Sequence, residues 1–239
     1  MTISFEDHII GISTLIWVVI CTAVGIIIML RYHKYKQNIL IYWGIAWCGM
    51  ALIHYPAVVS YIVALFNGVG LTLQQYLMFG MQDTAATFMF FLYVVMELVW
   101  KEKQKIAMII FGSIHTVFLV AWYIIVFIDP TSLGQLESIV DIKYAGIASL
   151  FALYISITFV TLGIALSIKL IKSGSKENKW KGIFILICFV SYTGAAFMDS
   201  LPLSTTVLLI LRFVFVSAAI EMYIGWLMPD FIKKRLIKE

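Results

Sequence analysis

Seven stretches of mostly apolar residues dominate the chain, at residues 8–30, 39–66, 76–100, 106–128, 144–171, 182–200 and 203–227. About 20 apolar residues of helix cross the hydrocarbon core of a bilayer. A helix satisfies all its backbone polar groups within one segment, so it is what such a stretch becomes in lipid. The pattern predicts an all-α fold: a polytopic bundle of seven transmembrane helices, spanning residues 1–239 as a single domain. The composition agrees, with 62% apolar and 13% charged residues, where soluble domains are near half apolar and about a quarter charged. No polar block is long enough to form a separate soluble domain.

Lysine and arginine in the short loops set the orientation. The first, third and fifth loops and the C-terminal tail hold 15 of the 17 basic residues, Lys238 in the tail among them. The exceptions are Lys143 in a loop on the other side and Arg212 inside the seventh span. The N-terminus is therefore expected outside, the C-terminus in the cytoplasm, and the protein in the cell (plasma) membrane. The net charge of +4 follows from this asymmetry and calls for no nucleic acid; a basic inner face suits anionic lipid. The first span has an acidic flank, Glu6 and Asp7, and a long apolar run, which is not the pattern of a cleavable signal peptide.

Pro130 and Pro202 fall at loop edges, and the segment 129–143 reads as an external loop. Only Pro56 falls inside a span, where it should kink the second helix near His54 and Tyr55. Cys21, Cys48 and Cys188 lie in apolar spans and read as packing residues.

Ionisable residues in lipid are costly and mostly face other helices or a cavity, usually with a partner. Asp83 and Arg212 each lie about eight residues in from the outer side, roughly 12 Å deep. That equality of depth predicts an Asp83–Arg212 ion pair, direct or through water. His54, Asp199, Gln82 and Tyr192 are expected around it, as a buried ion-pair cluster or a ligand pocket open to the outside. A second, inner group comprises Glu221, His115 and Glu97. Glu221 follows Arg212 by nine positions, which puts it on the opposite helix face. It could meet His115, whereas Glu97, followed by Lys101 and Lys103, reads as a local ion pair at the interface. Trp43, Trp47, His54 and Tyr61 form a stripe on the second helix, and Trp100, Trp180 and Trp226 mark the cytoplasmic boundary.

The seven-span plan with an external N-terminus resembles the microbial rhodopsins, which carry retinal on a lysine midway along the seventh helix. No lysine lies between Lys181 and Lys233, so covalent retinal is excluded and the likeness ends at topology. The plan is similar also to seven-helix sugar facilitators, whose matched prolines have a single counterpart here, Pro56. It resembles the seven-helix input modules of sensor kinases as well, without their cytoplasmic output domain. With four histidines and no HxxxH or HExxH spacing, no metal site is expected, and neither a cofactor nor an enzymatic activity. The reading that follows is a sensor or receptor-like module. It would bind a small-molecule ligand in the outward pocket and signal through a cytoplasmic or membrane partner. A small-solute or ion transporter and a structural or assembly protein are the alternatives.

Overall fold

A computed structural model of the chain describes residues 3–201 and 203–237; Pro202 and Lys238 lie outside it. The first long helix, α1 (Phe5–Leu30), starts where Ser4 accepts from the Asp7 amide at 3.0 Å and Asp7 accepts from the Ser4 amide at 2.9 Å. This reciprocal cap satisfies two donors that a helix start leaves free. A short α2 (Tyr32–Tyr35) leads to α3 (Asn38–Leu52) and α4 (Tyr55–Asn67), then α5 (Leu73–Leu77), α6 (Met81–Val99) and α7 (Gln104–Ile128). Two strands follow, β1 (Gly134–Leu136) and β2 (Ile142–Tyr144), then α8 (Gly146–Ile171), α9 (Lys176–Asp199), α10 (Thr205–Leu227) and α11 (Asp230–Leu236).

Six of these units are long and apolar enough to cross a membrane, or seven if the bent pair α3–α4 is one span. Together they describe a multi-pass integral membrane protein. The perimeter fits that reading: Val117, Leu150 and Phe213 are 70%, 68% and 68% exposed, a degree of apolar exposure that soluble surfaces rarely sustain over large patches. Inside, α1 packs between α3 and α10, α3 packs on α6, and α8, α9 and α10 pack in sequence, while α7 lies outermost against α6. Trp17, Trp43, Trp122, Phe88, Phe91, Phe159, Phe189 and Phe215 fill the centre. The Trp43–Tyr61 stripe is packing: Trp43 stacks on Trp226, rings 4.1 Å apart and 5° from parallel. Trp226 is thus a packing partner inside the bundle. Backbones approach closely where α1 meets α3; a Cβ on Gly44 would sit 2.5 Å from the Gly25 carbonyl oxygen.

Two interruptions shape the bundle. The expected kink at Pro56 is present, and it is a full break: α3 and α4 meet at 55°. Pro56 has no amide to donate and disfavours helical geometry in the residue before it. The second break, between α5 and α6, falls at Gly80, whose φ of +96° is open to glycine. The two breaks touch, since a Cβ on Gly80 would lie 2.8 Å from Pro56 Cγ. Side chains take up the released carbonyls. Tyr192 donates to Met50 at 3.0 Å, Thr84 to Gly49 at 3.3 Å, Trp122 to Leu77 at 3.0 Å, and Gln82 to Met78.

The segment 129–143, read above as a loop, holds a β-hairpin with Gly134 opposite Tyr144. Its tip residues Ile139 and Val140 are buried against Ile10, Ala57, Tyr61 and Tyr76. The hairpin thus closes the end of the bundle at which α1 begins; that end is called the hairpin end below, and the opposite one, carrying α2 and α11, the basic end.

Gly80→Ala should cost more than Gly174→Ala. Both have positive φ, but a side chain at Gly174 meets nothing within 4 Å. A left-handed alanine costs about 1–2 kcal/mol; Gly80, with ψ of −97°, lies outside that region, and contact with Pro56 adds to the cost at position 80 alone. Equal losses in thermal unfolding would mean that the two breaks do not press on each other.

Candidate functional site

Arg212 is 7% exposed, two turns into α10. Side chains on a helix lean toward its N-terminus, and the N-terminus of α10 lies at the hairpin end. The arginine therefore reaches up rather than across. Its Nη1 donates to Asp199 Oδ1 at 2.8 Å and its Nε to Thr14 Oγ1 at 3.1 Å. The guanidinium also lies 5.6 Å over the Phe215 ring. The Asp83–Arg212 pair expected from equal depth is not formed. Asp83 instead accepts from the Gly80 amide at 3.2 Å and caps the first turn of α6, where a carboxylate also meets the positive end of the helix dipole. Matching depth was the wrong criterion, because an arginine spans more than a helical turn and its direction decides the partner.

Below the ion pair lies an aromatic floor. Trp17 stacks on Phe215 at 5.2 Å, and Tyr192 and His54 approach Phe215 at 5.2 and 5.4 Å. Arg212 pairs with Asp199, and His54 and Tyr192 pack on the same Phe215 ring that the guanidinium overlies. Gln82 does not join them: it is buried at the α5–α6 break, with Oε1 unpaired. Deeper, the packing of Trp43, Trp47, Met50, Phe91, Phe159 and Phe189 leaves no room for a water molecule.

The pocket does not open where it was expected. The hairpin covers the end of the bundle, and the space beside Arg212 is a groove of about 310 Å³ between α1 and α10. Ile9, Ser13, Ile16, Leu209 and Val216 line it with Arg212, and the exposed Ile12 and Phe213 flank it. It opens on the apolar perimeter. Arg212 Nη2 has no partner among the described residues.

The inner group is dispersed. Glu221 accepts from Ser217 at 2.8 Å and Ser191 at 3.2 Å. His115 is hydrogen-bonded through Nδ1 to the Ala85 carbonyl at 2.7 Å, with Nε2 buried and unpaired. They do not meet, because α7 lies against α6 on one flank while α10 sits between α1 and α9. Glu97 forms the expected local pair, 2.6 Å from Lys101. Among the described residues no three histidine, cysteine, aspartate or glutamate side chains gather as a metal-ligand set.

Sequence reading missed Thr14, Ser191 and Asp141. Thr14 and Ser191 carry no charge to draw notice, and Asp141 sat in an apparent loop. Its carboxyl is pushed up to about 6 by burial and then by the Asp199 and Glu137 carboxylates, against the pull of Arg212. No protein-family model, curated protein or solved structure matches the chain.

Docking of the hairpin should consequently depend on pH. An acid whose value is raised in the docked state favours docking while protonated; that contribution is present below pH 4 and fades as pH rises to about 6. Asp141 is partly exposed, so the effect is on the order of 1 kcal/mol. The Glu137 and Ser138 amides, which donate to the Asp141 carbonyl, should exchange with solvent faster above pH 6 after correction for intrinsic rates. Asp141→Asn should flatten the profile; an unchanged profile would remove Asp141 as the cause.

Proposed function

We propose that the protein is a receptor-like membrane module that binds a small amphipathic ligand in the groove between α1 and α10. The ligand's anionic group would meet Arg212, and its apolar part would lie along Ile9, Ile16 and Val216. The observation that carries this reading is the position of Arg212: its Nε and Nη1 hold Thr14 and Asp199, its Nη2 has no partner among the described residues, and the residue lines the groove. A buried cation with a donor to spare is a natural partner for a carboxylate or phosphate. The loop-charge asymmetry supports a seven-span topology with the hairpin end outside and the basic end cytoplasmic, so the ligand would come sideways from the outer leaflet.

An incoming anion competes with Asp199 for the guanidinium. Weakening that pair would alter the α9–α10 contact and the field at Asp141, and with it the seating of the hairpin. A ligand shifts such an equilibrium only by its differential affinity for the two arrangements. The basic end, where Glu177 joins Lys181 and Lys233 at 2.8 and 2.5 Å, would pass the change to a separate partner.

Transport of a small solute is the second reading, favoured by the two touching helix breaks beside His54, since discontinuous helices often build transporter sites. The water-free aromatic packing beneath the site speaks against it.

Native mass spectrometry in nanodiscs tests the binding reading with a long-chain alkyl carboxylate and its uncharged methyl ester. The carboxylate should bind, and Arg212→Gln should weaken it about 10-fold to 100-fold, the range for a lost charged hydrogen bond. Val216→Phe, which fills the groove and leaves the ion pair intact, should also abolish binding. Equal affinity for acid and ester, or retention in the folded Val216→Phe protein, would contradict this function.

A further inference from the structure

α10 has 23 residues, about 34 Å by helical rise, just over the roughly 30 Å of a hydrocarbon core. Its end therefore reaches the level of the lipid headgroups. There Met228 is left-handed, at φ +43°, and Pro229 has ψ of 146°, so the chain leaves the α10 axis before α11 begins. α11 has two faces. On one, Ile232 and Leu236 are half-buried and Lys233 reaches Glu177 of α9 at 2.5 Å. Glu177 also holds Lys181 at 2.8 Å, so its charge is already matched. At about 100° per residue, Phe231, Lys234 and Arg235 fall together on the opposite face. All three are exposed, Phe231 by 69%. Asp230 lies at the edge of that face, in the first turn, where a carboxylate meets the positive end of the helix dipole.

α2 adjoins this helix, and its Tyr35 adds to the field at Lys233. The exposed cations of that segment rest on its aromatic rings. Lys34 Nζ is 5.3 Å from the Tyr35 ring centroid, and Lys36 Nζ is 5.6 Å from that of Tyr32. Lys34, Lys36, Lys234 and Arg235 join no ion pair among the described residues. Exposed cations alone fit any polyanion, and Phe231 narrows the choice. An aromatic ring beside lysine and arginine at headgroup level suits a surface that is anionic outside and apolar a few ångströms below. Phosphate supplies the anion, and an arginine holds it through two N–H donors. A soluble acidic partner would engage the cations but give Phe231 no apolar layer to enter.

We propose that α2 and α11 form a docking surface for anionic phospholipid in the leaflet at the basic end, with Phe231 in the acyl boundary and Lys34, Lys36, Lys234 and Arg235 on the phosphates. The surface is separate from the groove beside Arg212, which lies toward the hairpin end. It differs from the general attraction of a basic face for anionic lipid in being confined to two short helices with an aromatic residue at their centre.

Photo-cross-linking of the full chain tests this, in phosphatidylcholine nanodiscs carrying a trace of diazirine-labelled phosphatidylglycerol or, as the reference, diazirine-labelled phosphatidylcholine. Peptide mass spectra should place the phosphatidylglycerol label on α2 and α11, well above the reference. Lys234→Gln with Arg235→Gln should lower that label about tenfold. Phe231→Ser, with every charge retained, should lower it too. Lys103→Gln with Lys105→Gln removes two exposed cations from another loop at the same end and should leave it unchanged. All of these side chains are exposed, so the variants should fold, and their thermal unfolding should match wild type. An equal loss in the Lys103 and Lys105 variant would reduce the surface to diffuse charge and overturn the proposal. Label at the reference level in wild type, with polyglutamate binding to pure phosphatidylcholine discs through Lys234 and Arg235, would overturn it in favour of an acidic protein partner.

Discussion

The hairpin end depends on keeping one guanidinium charged inside an apolar bundle. An unpaired arginine in the middle of a membrane helix costs on the order of 3 kcal/mol by insertion scales. Arg212 meets that cost with three contacts from three elements: Asp199 on α9, Thr14 on α1 and the Phe215 face on its own helix. Because α1, α9 and α10 each supply one group, the pair fixes their rotation as well as their separation. The hairpin then covers the carboxylate side, and Asp141 feels both charges. A single polar contact thus ties the first and last thirds of the chain together.

The two helix breaks explain how the site comes to lie where it does. A continuous second helix would run past the aromatic floor. The turn at His54 swings α4 away, and Gly80 lets α5 follow it. Released carbonyls in lipid would each cost several kcal/mol, and those of Gly49, Met50 and Leu77 are met by donors from neighbouring helices. Tyr192 is such a donor through its hydroxyl, while its ring belongs to the floor. The breaks and the site therefore share residues, and a shift at one is felt at the other.

Much of this was legible in the sequence, for physical reasons that differ by feature. Span length follows from bilayer dimensions, so the helices sat close to where the apolar runs put them. Pro56 announced its break because proline lacks an amide. Gly80 did not, because glycine occurs in many membrane helices without breaking them. Arg212 stood out as a charge in lipid, and Asp199 was placed near it. The partner was misjudged because depth counts ignore side-chain direction and the order of helices around the bundle. The hairpin was hidden by short strands whose apolar tip, Ile139 and Val140, resembles any loop. Glu221 was correctly turned away from Arg212 by helical phase, yet Ser191, on another helix, could not be assigned to it. The likeness in span number to known seven-helix families said nothing about these contacts.

The most direct test of the ion pair as organiser is a double-mutant cycle on unfolding stability in one lipid system, with Asp199→Leu, Arg212→Met and the double variant. Breaking a buried pair by removing one partner costs about 3–5 kcal/mol, whereas replacing both with apolar groups is often close to neutral. The expected result is a large loss for each single variant and recovery in the double, with a coupling above about 1 kcal/mol. Additive losses, or a comparable coupling between Arg212 and Asp83, would contradict the assignment of Asp199 as the partner that holds Arg212 in the bundle.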